Sequence, residues 1–525
     1  MSGDEIDGAR RQEAHFGDRV VYCYSDRASN VSALLECARR VHGGGEALVC
    51  GDERLTYDQL SDCVAVFAGG VARLGTRRGD RVALLLANSA EFVIAFLAVV
   101  RLGAIVVPVN VRQSAAEIAS VIADCRASVV IAHSEFVDKA PAAPERVLVE
   151  IDAAIPFAGR IAAVAGSETD TIECGEDDVA ALIYTSGTTG RPKGVMVTHL
   201  GLVHAGMTYA AVLQLTASDR SVCAAPLSHV TGLTGGLMAS IAAGAAVIVT
   251  PSFKADRFLS LAAQERMSVT IMVPAMYKLC LLSSEFDARK LNRWRIAGYG
   301  GAMMPPALIE ELSCALPGLR LVNCYGATET TSPVAMMPAS ETAERPWSVG
   351  RAVPCAEILI MDEHGRSVLA GEEGEIYIRA PTVARGYWEN SEATSREFVG
   401  GFWRSGDVGR LVDGVYLELL DRKKDVINRG GYKIYCAEVE NVLAALDAVE
   451  EVAVVGRACP VLGERVHAII VSRASVKEHT LRAACAAVLS DYKVPETFHV
   501  RATPLPRNAN GKVMKQVLRA DPDAV

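Results

Sequence analysis

The sequence carries no excess of positive charge: 53 lysines and arginines face 62 aspartates and glutamates, a formal net charge of −9. Nucleic-acid binding, which needs a basic footprint, is therefore not expected. Paired cysteines are also missing. The fourteen cysteines run from Cys23 to Cys485 without a CxxC pair or a Cys/His cluster at zinc spacing. In a chain this long they read as small buried hydrophobes in a reducing compartment, not as a disulfide framework. No apolar leader opens the chain, because Asp4, Glu5, Asp7, Arg10, Arg11 and Glu13 fall among the first twenty residues, so a secretory signal is not expected. The most membrane-like stretch, 92–111, is interrupted by Arg101, Gly103 and Pro108. It suits a buried helix, a turn and a strand better than a membrane span. No short internal repeat is evident, which excludes a solenoid. A cytoplasmic protein with no integral membrane segment is the expectation.

What is present is a long alternation of apolar strands and helices. With 525 residues, 50% of them apolar, the chain exceeds one hydrophobic core and calls for two or more domains. Strands are predicted at 81–86, 105–109 and 128–131, with a helix over 89–100 capped by Asn88 or Ser89. Ser114 and Glu117 form a capping box for a helix reaching Asp124. Further strands at 180–184, 221–226, 246–250 and 269–273 are apolar throughout, as in sheets covered on both faces. Between 350 and 420 the texture changes to short strands with glycine turns, such as 374–378 and 415–419. Beyond the polar run 421–425, Val439, Val442, Leu443 and Leu446 share one helix face. The predicted fold is α/β. A large N-terminal domain (1–420) has sheets covered by helices plus a β-rich subdomain, 421–425 is a hinge, and 426–525 form a small mobile α+β C-terminal domain.

The most informative segment is YTSGTTGRPKG at 184–194, directly after a predicted strand. Its glycines let backbone N–H groups point inward, and its hydroxyls and single lysine add donors, which is what a polyphosphate anion requires. A Walker A loop is excluded, because Pro192 precedes Lys193 and Gly194 follows it. The run TSGTTGRPKG resembles the signature loop of the adenylate-forming superfamily, which includes acyl-CoA synthetases, peptide-synthetase adenylation domains and beetle luciferases. The resemblance continues in family order through PLSHVTG (226–232), GGA (300–302), YGATET (325–330), GDVGRL (406–411), DRKKDVINRGGYKIYCAEVE (421–440) and PRNANGK (506–512). It is nearest to the acyl-CoA synthetases.

The resemblance implies a two-step ligase with ATP, Mg²⁺ and coenzyme A. A carboxylate attacks the α-phosphate of ATP and releases pyrophosphate, and the coenzyme A thiol then displaces AMP. The implied catalytic set is Lys512, Thr185, Glu329 and His229. Thr185, Ser186, Gly187, Thr188, Thr189, Gly190 and Lys193 would hold the β- and γ-phosphates. Glu329 would bind the metal, with Thr328 beside the α-phosphate. Gly300, Gly301, Ala302, Tyr325 and Gly326 would enclose adenine, and Asp407 and Arg422 would reach the ribose. Lys424 takes the hinge position. Gly430 and Gly431 would let the pantetheine arm pass, along a passage lined by His229, for which a satisfied core histidine is the alternative. Lys512 would bridge the carboxylate and the α-phosphate.

One position departs from the family pattern. Cys436 stands where proline is usual, and a less rigid turn is expected there. The windows expected to line the acyl pocket, 229–236, 299–301 and 324–333, are uncharged apart from Glu329 and His229. They contain no Arg or Lys to hold a second carboxylate, and they suit an aliphatic or aryl monocarboxylate. A fatty acid is the favoured substrate; an aryl acid, or loading of a carrier protein, is the alternative. The expected partners are small molecules; the sequence leaves the oligomeric state open, a homodimer being one option.

Overall fold

The computed structural model describes residues 9–141, 146–152, 154–185, 192–472, 476–508 and 511–520. The chain divides into two compact units, 1–358 with 377–404, and 359–376 with 405–525. The predicted hinge at 421–425 falls inside the second of these units.

The first unit contains two large sheets. One has six strands in the order Lys193–Thr198, Val179–Thr185, Ile105–Pro108, Arg81–Leu85, Val129–His133 and Val147–Ile151. Neighbours are parallel except the first pair, which is antiparallel. The other is built on six parallel strands: Glu46–Cys50, Ala246–Val249, Arg220–Cys223, Val269–Met272, Ile296–Tyr299 and Arg320–Tyr325. Antiparallel strands continue it beyond both ends. An N-terminal hairpin of Arg10–His15 and Arg19–Tyr24, which sequence periodicity did not reveal, forms a separate two-stranded sheet.

The stretch with membrane-like hydropathy folds as a helix, a turn and a strand. Ala90–Arg101 is helical and buried from Ala90 to Val100. Phe92, Ile94 and Phe96 share one core with Val82 and Leu84 of the six-stranded sheet and with Leu48, Val247 and Val249 of the other. Burial on every side explains the lack of a polar face. Ser89 caps this helix by accepting the Phe92 N–H at 3.1 Å, and Ser114 and Glu117 form the expected capping box. Among the described residues no helix is long and apolar enough to cross a membrane. All fourteen cysteines are free thiols, and ten of them are buried.

In the second unit, Tyr416–Arg422 pairs antiparallel with residues 407–412. A five-stranded sheet follows, in which Gly463–Val471 lies between Glu451–Cys459 and Ile427–Arg429 and also pairs parallel with Thr497–Arg501. The helices Cys436–Ala444 and Glu478–Val488 bury Val439, Leu443, Leu481 and Cys485 against Ile427, Val454 and Ile470 of that sheet.

Cys436 opens its helix in a way that proline could not. Its N–H donates to Asp421 Oδ2 at 2.5 Å, and its thiol donates to the Asp425 carbonyl at 3.0 Å. The turn is therefore tied to the 421–425 run by two hydrogen bonds instead of being loosened. Burial pushes the thiol far up, which keeps it a protonated donor. Cys436→Pro leaves Asp421 and the Asp425 carbonyl each one donor short. It is expected to destabilise the second unit by about 1–3 kcal/mol, seen as a lower denaturant midpoint; a midpoint at or above that of the parent protein contradicts this role.

Candidate functional site

The flanks of the phosphate loop are held in register. Lys193–Thr198 runs back along Val179–Thr185 with Lys193 opposite Thr185, so the loop is closed at its base. Ser186, Gly187, Thr188, Thr189 and Gly190 lie outside the described residues. Lys193 Nζ meets the two Glu397 oxygens at 2.9 and 3.1 Å and lies 4.1 Å from the centre of the Tyr387 ring. The Tyr387 hydroxyl stands 2.5 Å from Glu397 and 3.0 Å from Glu329. Having one proton, it donates to one carboxylate at a time and keeps both within reach. Burial, and then the Glu329 and Glu397 carboxylates, push this phenol far up, so it remains a donor. Burial opposes ionisation of Glu397, but hydrogen bonds from Tyr387 and Lys193 outweigh it and hold the carboxyl below its ordinary range. The result is a loop lysine neutralised by a half-buried carboxylate, with a second carboxylate one hydroxyl away.

The adenine candidates sit at the carboxyl ends of two adjacent parallel strands, Ile296–Tyr299 and Arg320–Tyr325. A crevice at such ends is where open α/β sheets bind ligands. A Cβ on Gly300 would come within 2.3 Å of the Cys324 carbonyl, and Gly301 has φ +76°. Glycine at both positions lets the Gly300–Ala302 turn pass beside the strand that ends in Tyr325. After Gly326 the chain makes a short 3₁₀ turn, Thr328–Thr330, that carries Glu329. The Glu329 carbonyl accepts the Ala384 N–H at 2.8 Å, which fixes the turn near Tyr387, and Thr328 is buried.

His229 is half-buried, and its Nδ1 accepts the Thr231 N–H at 3.3 Å. Asn88 clamps the preceding segment by donating to the Ala225 carbonyl at 2.9 Å and accepting the Leu227 N–H at 2.7 Å. From Thr231 to Met238 the helix is π-helical, a widened form frequent at functional sites that periodicity did not signal. Its glycines allow close packing: a Cβ on Gly232 would lie 2.3 Å from the Pro226 carbonyl, and one on Gly235 2.6 Å from Ile271.

The remaining candidates belong to the second unit. Arg422 Nε lies 2.6 Å from Asp407 Oδ1, the two residues facing each other across paired strands. Asp407 is buried, and its N–H donates to Ser405 Oγ at 3.0 Å. The Lys424 carbonyl accepts from Arg519, which also pairs with Asp425 at 2.7 Å. Gly430 and Gly431, at φ +58° and +92°, turn the hairpin of Ile427–Arg429 and Tyr432–Ile434. Lys512 is exposed, and Asn508 clasps its backbone by accepting its N–H at 3.0 Å and donating to its carbonyl at 2.9 Å. Sequence reasoning missed Glu397 and Tyr387. The one available signal was that a lysine near buried structure needs a counter-charge.

Comparison with known proteins gives the family. The AMP-binding enzyme family matches residues 35–388, and the AMP-binding enzyme C-terminal domain matches 438–512. The chain is 34% identical over 474 residues to the long-chain-fatty-acid–CoA ligase FadD13 of Mycobacterium tuberculosis, covering 89% of this chain and 93% of that one. It is 33% identical over 489 residues to an indoleacetate–CoA ligase of Aromatoleum aromaticum, covering 91% and 95%. The o-succinylbenzoate coenzyme A synthetase MenE of Bacillus subtilis, solved with ATP and magnesium ion, has a TM-score of 0.83 and 30% identity, covering 93% of this chain and 99% of that one. The chain thus belongs to the adenylate-forming AMP-binding enzyme family, as an AMP-forming ligase that joins an acyl or aryl acid to coenzyme A with ATP and Mg²⁺.

Proposed function

We propose that this ligase activates an aliphatic monocarboxylate, a fatty acid, and that the residues described above carry the two half-reactions. The observation that carries the substrate class is the neutrality of the expected acyl wall. Windows 229–236, 299–301 and 324–333 hold no Arg or Lys. Gly235 of the π-helix packs against Ile271 and Tyr209, and the buried Tyr209 hydroxyl bonds Ser332 at 3.0 Å. Such a lining supports an apolar acyl group and offers nothing to a second carboxylate.

In the first step the carboxylate oxygen attacks the α-phosphorus of ATP as the bond to pyrophosphate breaks. In the second, the coenzyme A thiol loses its proton and attacks the acyl carbon as AMP leaves. Thr185, Ser186, Gly187, Thr188, Thr189, Gly190 and Lys193 would hold the β- and γ-phosphates, Lys193 exchanging the Glu397 carboxylate for phosphate oxygen. Glu329 fits a hard cation, being a carboxylate beside a second one. Mg²⁺ bound there with the phosphates would neutralise their charge. Gly300, Gly301, Ala302, Tyr325 and Gly326 would receive adenine, and Thr328 the α-phosphate. Asp407, oriented by Arg422, would accept from the ribose hydroxyls. Lys512 would serve adenylation, Gly430, Gly431 and His229 the thiol step, with Lys424 as the pivot between the two.

Pyrophosphate release across a panel of fatty and aryl acids, with and without coenzyme A, tests the substrate class. Release confined to fatty acids is expected, and release confined to aryl acids contradicts it. Thioester formed on a carrier protein but not on coenzyme A would overturn the choice of acceptor. Lys512→Ala is expected to slow acyl-adenylate formation about 10²–10³-fold, the scale of losing one transition-state charge partner, while thioester formation from supplied acyl-adenylate persists. Equal losses in both steps would refute the assignment of Lys512 to the first.

A further inference from the structure

Apart from the residues assigned to ligation, the N-terminal hairpin gathers three potential metal ligands. Glu13, His15 and Cys23 each offer one ligand atom, and these atoms lie within 4.8 Å of one another. His15 Nε2 is 3.6 Å from Glu13 Oε2 and 3.7 Å from Cys23 Sγ. Around a tetrahedral zinc with bonds of about 2.0–2.3 Å, neighbouring ligand atoms sit about 3.3–3.6 Å apart, so little movement is needed to close on an ion. A linear search for zinc spacing could not find this set, since two strands bring it together.

The surroundings orient each ligand. His15 Nδ1 lies 2.7 Å from Asp177 Oδ1, a carboxylate whose other oxygen accepts the Phe16 N–H at 3.0 Å. That bond places a proton on Nδ1 and directs Nε2 at Glu13 and Cys23, the arrangement of a metal-bound histidine backed by an outer carboxylate. Glu13 Oε1 accepts from Arg11 at 2.7 Å and Arg27 at 2.9 Å. Oε2 takes a single Arg27 bond at 2.7 Å and keeps a lone pair facing His15. Glu176 accepts from Arg27 at 2.7 Å through both oxygens and offsets its charge. Three carboxylates against two guanidiniums leave the cluster net acidic before any thiol ionises. Cys23 is fully buried, with the His15 nitrogen as its partner.

With the proton on Nδ1, the Cys23 thiol donates to His15 Nε2 only across a long 3.7 Å contact, and the Glu13 oxygen faces the same imidazole lone pair at 3.6 Å, an acceptor pair that a cation would relieve. A proton on Nε2 would satisfy the carboxylate, but it leaves the buried sulfur with a long, weak contact. A mixed N, O and S set with one soft donor suits Zn²⁺. We propose that Glu13, His15 and Cys23 bind one Zn²⁺, with water as fourth ligand, and so clamp the hairpin to Asp177, just before the strand Val179–Thr185 that leads into the phosphate loop. On coordination the Cys23 S–H bond breaks, the sulfur bonds to zinc, and the proton goes to solvent.

The test is titration of metal-free full-length protein with Zn²⁺, and separately with Co²⁺ as a coloured substitute. One equivalent of Zn²⁺ retained through gel filtration is expected, together with an intense near-ultraviolet thiolate-to-cobalt band. Both should be lost in Cys23→Ala, and in His15→Gln should Cys23→Ala fail to fold. Failure of the folded parent protein to retain stoichiometric Zn²⁺, or retention unchanged in a folded variant, overturns the site. The readout is independent of ligase activity, so it stands apart from the substrate assignment.

Discussion

Lys193 begins the edge strand that closes the phosphate loop, and its ammonium is held between the Glu397 carboxylate and the Tyr387 ring. A chain of net charge −9 has no diffuse positive field with which to gather ATP. Attraction for the phosphates has to come from cations held in place one at a time. An unpaired ammonium in so sheltered a position would be costly, and the Glu397 carboxylate supplies its counter-charge. Through Tyr387 the same Glu397 is linked to Glu329. Under the proposed function, a lysine that turned to phosphate would free Glu397 and, through Tyr387, alter Glu329 as well.

The second unit repeats this economy. Arg422 is paired with Asp407 across two strands, and Arg519 with Asp425 in the run that carries Lys424. Lys512 is placed by its backbone, which Asn508 clasps on both sides. Each cation assigned to the nucleotide or to the transition state is positioned by a local contact within its own unit, so each unit can present its groups without relying on a general electrostatic field.

Most of the strand and helix order was legible in the sequence, because buried parallel strands and the buried Ala90–Arg101 helix leave long apolar runs with clear caps. Candidate site residues could be named wherever they are packed into short motifs, as with Lys193, Gly300–Ala302, Glu329, Asp407 and Lys512, whose roles are those proposed above. Glu397 and Tyr387 were not, because they reach Lys193 from about two hundred residues away and on paper look like an ordinary helix-end carboxylate and a core aromatic. The π-helix Thr231–Met238 escaped because its glycines and small residues carry no distinctive period. Cys436 was misjudged as a looser turn, since its two hydrogen bonds depend on where Asp421 and Asp425 fold.

Fatty, aryl and succinylbenzoyl acids all occur in the names of the relatives, and the MenE synthetase has been solved with its acyl-adenylate intermediate. The most direct measurement is the fate of label from a carboxylic acid with heavy oxygen in its carboxylate, followed by mass spectrometry of the products after one turnover with ATP, Mg²⁺ and coenzyme A. Transfer of one labelled oxygen into AMP, and none into pyrophosphate, is the expected result. Label in inorganic phosphate with ADP as the nucleotide product, or unlabelled AMP, would contradict an acyl-adenylate.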